Sequence, residues 1–341
     1  MKNIRKLLGG VAVAATVALT ITGCAGSDTS GGSSDGGSSA PEEVTEIDFG
    51  YIADFNGTSL LAIAEDQGLW DKYGLSATAT PFTNGPLQIQ ALGTGDLDFG
   101  YIGPGAFWLP ASGQAKIIAI NTLGTADRVI AQPGINSIED LKGKSVGVPE
   151  GTSGDMILTL ALEAAGMTKD DVEIVPMDAA TVVTAFASGQ IDAAGIWYPS
   201  ITTIKEQIPD LVELAKNQDF EDTVQFPNAF VAGNDFVDSD PETVQKVVQV
   251  IREANDYRAE NPEETIQLTA DLIGVDVAQV ESDYANVQTL TTAELDADTE
   301  DGTIDKWLSG MVDYFVGAGQ LPSSVEPSSF YLGDDYVAAG E

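Results

Sequence analysis

The chain has 341 residues, 43% hydrophobic and 20% charged, which is enough apolar material for one large or two medium cores. Its formal charge of −38 makes nucleic acid an implausible partner, because phosphate binding needs clustered Lys and Arg. With no histidine and one cysteine, it lacks the residues for Ser-His-Asp or Cys-His catalysis, His-ligated zinc or a disulfide scaffold, which leaves carboxylate, lysine or purely binding mechanisms.

The amino terminus has the composition of a signal peptide. A basic start at residues 1–6 precedes an apolar run at 7–22 that is too short for a comfortable bilayer span. The run ends in Ile-Thr-Gly-Cys at Cys24, which resembles the lipobox of bacterial lipoproteins, although that pattern more often has Leu where Ile21 stands. The resemblance implies that residues 1–23 are removed and that Cys24 is lipidated.

A flexible tether is predicted after the anchor. Residues 25–40 are a Gly/Ser tract with no apolar residue large enough to bury. Random-coil scaling gives a span of about 20–25 Å for roughly 16 such residues. The segment 24–43 would therefore hold a folded body at the outer face of the cell membrane while letting it move.

The chain then repeats one pattern of predicted elements. Each copy begins with a strand, continues with a Gly-Thr-Ser turn and a helix, and then adds a second strand, a second helix and a third strand. The opening strand, turn and helix of the two copies fall at 47–52, 56–59 and 60–69, and at 144–148, 150–153 and 156–165.

Two landmark pairs indicate that the repeat is a duplication. Gly57 and Gly151 are 94 residues apart, and Gly95 and Gly189 are separated by the same 94 residues. The alternative is a chance similarity of short Gly-rich turns. A strand–helix–strand unit with right-handed crossovers builds a parallel sheet, so we expect two α/β lobes whose ligand site lies at the carboxyl ends of the strands.

The landmarks together resemble the solute-binding proteins of the nitrate, sulfonate, taurine and thiamine-pyrimidine uptake family, which serve ATP-driven (ABC) importers. The similarity runs from about residue 47 to residue 315, and each motif alone is weak. The matching segments are Gly50-Tyr51-Ile52, Ala64-Glu65-Asp66-Gln67-Gly68-Leu69-Trp70, Leu92-Gly93-Thr94-Gly95-Asp96-Leu97-Asp98, Ile138-Glu139-Asp140-Leu141-Lys142-Gly143-Lys144 and Gly195-Ile196-Trp197-Tyr198-Pro199.

The resemblance implies a two-lobed α/β fold of the type II periplasmic-binding-protein class, with a mainly parallel sheet in each lobe and a cleft between the lobes. Lobe 1 would comprise residues 44–125 and 228–341, and lobe 2 residues 126–227. The chain would cross between lobes near 122–126 and 225–229. Helices with Pro at their first position are predicted after Ser239 or Asp240 and after Asn261.

In lobe 2, the predicted ligand contacts are Gly151, Thr152 and Ser153, because a helix amino terminus offers free N–H groups to an anion. The alternative is that Thr152 or Ser153 only caps its own helix. Trp197 and Tyr198 follow the third strand of this lobe. The family resemblance implies an aromatic wall at Trp197, with core packing as the alternative.

In lobe 1, the predicted ligand contacts follow the three corresponding strands. They are Asp54, Phe55, Asn56, Gly57, Thr58, Asn84, Gly103 and Pro104. The alternative for these residues is a local one, since Asn-Gly sequences make ordinary turns and Asn56 would also serve as a helix cap.

Two charged residues near the first crossing complete the candidates. Arg128 would pair an anionic ligand, or else satisfy Asp127 or a surface carboxylate. Asp54 and Asp127 would receive an ammonium group, which suits an amino-sulfonate such as taurine. The predicted function is capture of a sulfonate- or taurine-like ligand for a membrane permease by a lipid-anchored, monomeric protein without a cofactor or metal.

Two other functions remain open at this stage. A thiamine-pyrimidine-like aromatic ligand would stack on Trp197 or Phe55. A carboxylate-dependent surface hydrolase would use two acids such as Asp54 and Glu150.

Overall fold

The computed structural model describes residues 44–341, so the predicted signal peptide, the lipidation of Cys24 and the tether lie outside the described residues. Strands and helices alternate through the first two-thirds of the chain, and helices dominate the remainder. No helix within the described part is long and apolar enough to cross a membrane.

Eleven strands are present in residues 44–341. Their bounds are β1 Thr45–Ile52, β2 Leu75–Phe82, β3 Phe99–Ile102, β4 Lys116–Gly124, β5 Asp127–Ala131, β6 Ser145–Val148, β7 Glu173–Pro176, β8 Ala193–Trp197, β9 Val212–Lys216, β10 Pro227–Ala232 and β11 Val287–Thr289.

Fourteen α-helices accompany them in the same range. Their bounds are α1 Phe55–Asp66, α2 Leu69–Lys72, α3 Gly85–Thr94, α4 Trp108–Ala111, α5 Ser153–Ala164, α6 Ala179–Ala187, α7 Ser200–Gln207, α8 Asn234–Ser239, α9 Pro241–Glu260, α10 Pro262–Ile273, α11 Val277–Tyr284, α12 Thr292–Glu300, α13 Thr303–Gly317 and α14 Gly333–Ala338.

The strands form two sheets with a common plan. The first sheet has the order β11-β4-β10-β3-β1-β2, and the second has the order β7-β6-β8-β5-β9. Read from one edge, β2-β1-β3-β10-β4 and β7-β6-β8-β5-β9 are the same arrangement. The predicted α/β class and the duplicated strand–helix–strand–helix–strand unit are confirmed.

Each sheet is mixed, whereas the sequence predicted mainly parallel sheets. Strands β1, β2 and β3 pair in parallel, as do β6, β7 and β8. Strand β10 runs antiparallel to β3 and β4, and β5 runs antiparallel to β8 and β9. Strands β5 and β10 are the first strands after the chain passes from one sheet to the other. They enter their new sheet from the opposite end, which reverses their direction.

The two pairs of glycines that mark the predicted repeat differ in how well their backbone conformations agree. Gly95 and Gly189 follow α3 and α6 and have φ of 75° and 70°, the left-handed conformation that ends a helix. Gly151 also has φ of 70° and lies in a turn before α5. Gly57, however, lies inside the first turn of α1, so the predicted Gly-Thr-Ser turn at 56–59 is helical.

Helix caps account for several predicted starts. Asp240, not Ser239, caps α9, because its Oδ1 accepts a hydrogen bond from Thr243 N at 3.1 Å. Helix α10 begins at Pro262 as predicted, but the amide of Asn261 donates back to Tyr257 O instead of capping it.

Backbone contact between α5 and β8 fixes this helix on the second sheet. A Cβ added to Gly154 would lie 2.4 Å from Gly195 O, and one added to Gly195 would lie 2.1 Å from Gly154 O. Because any side chain at either position collides with main chain, only glycine lets the start of α5 approach the strand this closely.

Gly154→Ala should lower the free energy of unfolding by about 2 kcal/mol or more, because the collision cannot be relieved by rotating a side chain. The matched control is Gly93→Ala in α3, where an added Cβ has open space around it. That variant should gain about 0.5–1 kcal/mol from helix propensity. Urea denaturation measures both; equal stability of the two variants would contradict this account.

Candidate functional site

A cavity lies where the carboxyl ends of the parallel strands of the two sheets face each other. It encloses about 510 Å³ of atom-free space, part of it open to solvent. Both sheets contribute to its wall: Ile52, Asp54, Asn56, Asn84, Gly85, Pro86, Tyr101, Gly103, Ala106, Gly124, Ala126, Asp127, Thr152, Ser153, Trp197, Tyr198 and Asn228.

Capping residues form the rim on the side of the first sheet. Asp54 follows β1, and its Oδ1 accepts a hydrogen bond from Gly57 N at 2.7 Å. Asn84 follows β2, and its Oδ1 accepts a hydrogen bond from Leu87 N at 3.0 Å. Each polar side chain therefore caps the helix that follows its strand and also lines the cavity. The capping role and the position at the predicted ligand site are thus compatible.

The opposite rim is built by the start of α5 and the end of β8. Thr152 stands at the N-cap position, but its hydroxyl donates to Pro149 O at 2.6 Å and makes no capping bond. Ser153 begins the helix and also lines the cavity. Trp197 ends β8 opposite Asp127 of β5, which brings an aromatic ring and a carboxylate to the same edge.

A chain of hydrogen bonds forms the wall on the first-sheet side behind Asp54. Tyr101 OH donates to Asn228 Oδ1 at 2.8 Å, and Asn228 Nδ2 donates to Thr122 Oγ1 at 3.1 Å. Thr122 Oγ1 then donates to Asn56 Oδ1 at 2.7 Å. Tyr101, Asn228 and Asn56 line the cavity, and their mutual bonding fixes the direction of each polar group.

The electrostatic character of the cavity is acidic. Asp54 and Asp127 are 6% and 3% exposed, and none of the lining residues is Lys or Arg. Burial raises the pKa of Asp54 from 3.8 to about 7, with the nearby Asp127 adding to the effect. Burial also raises the pKa of Asp127, whose Oδ1 has no hydrogen-bond partner within residues 44–341. The site therefore has carboxylates that lack a cation.

The guanidinium of Arg128 binds other protein groups and does not line the cavity. Its Nε donates to Glu213 at 3.0 Å, and its terminal nitrogens donate to Thr125 O at 2.7 Å and Asn286 Oδ1 at 3.0 Å. The guanidinium also lies 5.5 Å from the ring centre of Tyr198. The alternative considered from the sequence, that a carboxylate satisfies Arg128, describes this geometry.

Other candidate residues lie outside the cavity wall. Phe55 is fully buried and its ring lies 5.0 Å from that of Tyr284. Thr58 is also buried and donates to Ile52 O, while an added Cβ at Gly57 would lie 2.5 Å from that same oxygen. The remaining candidates that the structure places outside the wall are Pro104, Gly151 and Arg128.

Several residues that line the cavity are not among the contacts predicted from the sequence. Tyr101 belongs to a buried strand, and Asn228 lies in another strand 127 residues further along, so no local pattern relates them. The signal that would have found Asn228 is its place at the predicted second crossing, which the topology brings to the cleft. Gly124 and Ala126 lie at the first crossing for the same reason.

The two halves of the molecule touch beside the cavity. A Cβ added to Gly105, which follows β3, would lie 2.0 Å from the carbonyl carbon of Thr152 and 2.4 Å from Ser153 N. Pro86 Cγ lies 3.6 Å from the corresponding Cβ position at Gly151. The geometry is thus that of a shut cleft, with backbone against backbone at Gly105.

Comparison with known proteins places the chain among binding proteins. Residues 56–265 match the family model described as NMT1/THI5 like. A Brucella abortus (strain 2308) protein, whose name proposes a binding role and gives no ligand, is 57% identical over 85% of this chain and 91% of its own length. The taurine-binding periplasmic protein of Escherichia coli (strain K12) is 25% identical over 75% of this chain and 82% of its own.

A solved structure shares the fold. The alkanesulfonate-binding protein SsuA of Xanthomonas axonopodis pv. citri, solved with MOPS bound, superposes with a TM-score of 0.67 at 22% identity. The match covers 85% of this chain and 98% of that one. The two-lobed periplasmic-binding-protein fold expected from the sequence is confirmed by this likeness.

The buried carboxylate of Asp54 predicts an inverted pH dependence of stability. Its pKa is raised from 3.8 to about 7 in the folded protein. As the pH rises, the unfolded chain therefore loses this proton before the folded protein does. The contribution of this group to the free energy of unfolding is fully present below pH 4 and decreases as the pH rises to 7. At 1.36 kcal/mol per pH unit, the total decrease is at most about 4 kcal/mol. Asp54→Asn keeps an oxygen for the cap, so it should stabilise the protein by about 2 kcal/mol at pH 8 and little at pH 4.

Asp178 provides the matched control for this measurement. It caps α6 through the same bond, with Thr181 N donating to its Oδ1 at 2.8 Å, but it is exposed and these hydrogen bonds lower its pKa. Its contribution is present above its ordinary pKa and lost in acid, so Asp178→Asn should cost stability at pH 8. Urea denaturation at both pH values gives the result; a loss at pH 8 from Asp54→Asn would overturn the assignment.

Proposed function

The chain belongs to the NMT1/THI5-like family, and on that premise we propose that it carries an amino-sulfonate such as taurine to a membrane permease. It is a solute-binding protein of an ATP-driven import system, related to sulfonate and taurine binders. The ligand enters the cavity between the two sheets, and no reaction takes place there. Residues 44–125 with 228–341 act as one lobe, and residues 126–227 act as the other.

One observation carries the choice of ligand: the cavity has buried carboxylates and no cationic side chain in its lining. An ammonium group would lie between Asp54 and Asp127 and complete them with charge-assisted hydrogen bonds. A ligand that is only an anion, such as nitrate or a simple alkanesulfonate, would instead face two uncompensated carboxyl groups.

The start of α5 supports the anionic end of the ligand. Thr152 and Ser153 line the cavity at the amino terminus of this 12-residue helix. The first N–H groups of a helix have no partner within the helix, and the helix dipole adds partial positive charge. A sulfonate at this end and an ammonium at Asp54 would satisfy both walls with one short molecule.

A specific observation favours a second candidate ligand. The ring of Trp197 lines the cavity beside Asp127, so an aminopyrimidine would stack on Trp197 and donate to the carboxylate. Phe55 does not support stacking, because its ring packs against Tyr284 away from the cavity. The hydrolase alternative has no support in the geometry, since Glu150 is exposed and is not among the lining residues.

The proposed setting is the outer face of a cell membrane. Cys24 carries the lipid, residues 25–40 form the tether, and the folded part works as a monomer. The extracytoplasmic relatives support this setting. The strongly acidic composition argues against nucleic acid as a partner.

Isothermal titration tests the ligand assignment. Taurine should bind with one site per chain, and ethanesulfonate and nitrate should bind at least tenfold more weakly, because each lacks the ammonium that pairs the carboxylates. Asp127→Asn should bring taurine and ethanesulfonate closer in affinity. Absence of heat from taurine removes the assignment, and quenching of tryptophan fluorescence by an aminopyrimidine alone would favour the second candidate.

Closure of the cleft predicts a role for Gly105. Gly105→Ala places a methyl group 2.0 Å from the carbonyl carbon of Thr152 in the shut state. The clash is relieved by opening the cleft instead of unfolding the chain, because the two residues belong to different halves. Taurine affinity should therefore fall at least tenfold, with the unfolding midpoint nearly unchanged.

Small-angle scattering checks the mechanism behind that loss. The radius of gyration should decrease when taurine is added to the unmodified protein and to the Gly93→Ala control. In Gly105→Ala it should stay at the open value at the same taurine concentration. Normal compaction together with normal affinity in Gly105→Ala would contradict closure at this contact.

A further inference from the structure

A second, larger cavity adjoins the candidate site and is not used by a ligand as short as taurine. It contains about 1560 Å³ of atom-free space, part of it open to solvent. We call it the apolar chamber, because most of its wall is apolar, including Phe82 near the end of β2, Ala180 and Val183 on α6, and Val275 and Val280 around α11.

The chamber and the smaller cavity share part of their walls. Ile52, Asp54 and Trp197 line both spaces. A ligand group that contacts Asp54 in the smaller cavity is therefore already at the border of the chamber. One molecule with a polar end and an apolar end can occupy both spaces through this border.

A buried carboxyl group in the wall of the chamber lacks a full set of hydrogen-bond partners. Asp283, near the end of α11, is 1% exposed and is one of the lining residues. Its Oδ2 accepts a hydrogen bond from Phe55 N at 2.6 Å, while Oδ1 has no hydrogen-bond partner within residues 44–341. A buried carboxyl oxygen without a donor is costly, and a cationic ligand group in the chamber would reduce that cost through its field.

The ionisable side chains that line the chamber are all acidic. Asp54, Asp178 and Asp283 line it, and no Lys or Arg belongs to the lining described for it. An apolar body that carries a cationic group would match this wall in both respects. An apolar anion would match only the apolar part.

We propose that the natural ligand is an N-substituted amino-sulfonate, whose apolar amine substituent occupies the chamber lined by Ala180, Val183 and Asp283. Its ammonium group lies at Asp54, between the two cavities, and has Asp283 on the chamber side. Its sulfonate lies in the smaller cavity at the start of α5. This inference rests on the proposed function and specifies its ligand class.

Three sulfonates test it by isothermal titration at neutral pH. 2-(Cyclohexylamino)ethanesulfonate has the sulfonate, the ammonium and an apolar ring, taurine lacks the ring, and 3-cyclohexylpropane-1-sulfonate has CH2 in place of the ammonium. The cyclohexylamino compound should bind at least tenfold more tightly than either of the others, because only it satisfies both the carboxylates and the apolar wall.

The other outcomes separate the two levels of the proposal. Taurine binding as tightly as the cyclohexylamino compound would overturn the chamber and leave the proposed function intact. The analogue without the ammonium group binding as tightly as the cyclohexylamino compound would overturn the role of the carboxylates in the chamber. No binding by any of the three would overturn the proposed function and this inference together.

Variants of residues in the chamber wall test where the apolar group of the ligand binds. The double variant Ala180→Trp with Val183→Phe fills the chamber from one face of α6. It should lower the ratio of the cyclohexylamino and taurine association constants at least fivefold. Ala293→Trp, at an exposed position on α12 that lines neither cavity, should leave that ratio unchanged. An unchanged ratio in the double variant would overturn the inference.

Asp283→Asn tests the carboxylate separately. An asparagine oxygen still accepts the hydrogen bond from Phe55 N, so the start of α1 keeps its partner. The cyclohexylamino compound should lose at least fivefold in affinity, while the affinity of the analogue without the ammonium group should change by less than twofold. Equal changes in both affinities would indicate a structural effect and would overturn the role assigned to Asp283.

Discussion

The buried carboxyl group of Asp54 joins the fold to the site. It stands at the carboxyl end of β1, caps α1 through Gly57 N, and lines both cavities. The cap stabilises the helix, whereas burial beside Asp127 and Asp283 makes the charged form costly and raises its pKa. One side chain is thus favourable for the backbone and unfavourable for the charge balance. That imbalance is what a cationic ligand group would correct.

The duplicated sheet plan explains why polar groups from distant parts of the chain meet. Parallel strands end at one edge of their sheet, so the residues after β1, β2 and β3 are neighbours, and so are those after β6 and β8. Placing two such edges opposite each other produces a cleft with helix starts on both walls. The backbone contact between Gly105 and Thr152 then limits how closely the walls approach.

Sequence reasoning predicted what depends on local pattern and missed what depends on pairing across the chain. Asp54, Asn84 and Ser153 each follow a strand that the alternation of elements reveals, and the structure places all three in the cavity wall. The repeat offset is misleading at Gly57, because α1 begins at Phe55, five residues before the predicted helix begins at Leu60, and the glycine falls inside it. The sequence alone does not identify the partner of Arg128, since Glu213 is 85 residues away and only the pairing of β5 with β9 brings them together.

A buried cation lies behind the cavity wall. Arg258 is 2% exposed and donates to Asn121 Oδ1 at 2.8 Å, and Asn121 Nδ2 donates to Asn56 O at 2.7 Å. Burial lowers the pKa of Arg258 to about 10, so the guanidinium remains charged at neutral pH. It has no carboxylate partner within the described chain. Burial raises the pKa of Tyr101 in this wall, and the three buried acids add to the effect while the field of Arg258 opposes it. Because the wall separates the charges, the carboxylates stay available on the cavity side, where a ligand ammonium can approach them directly.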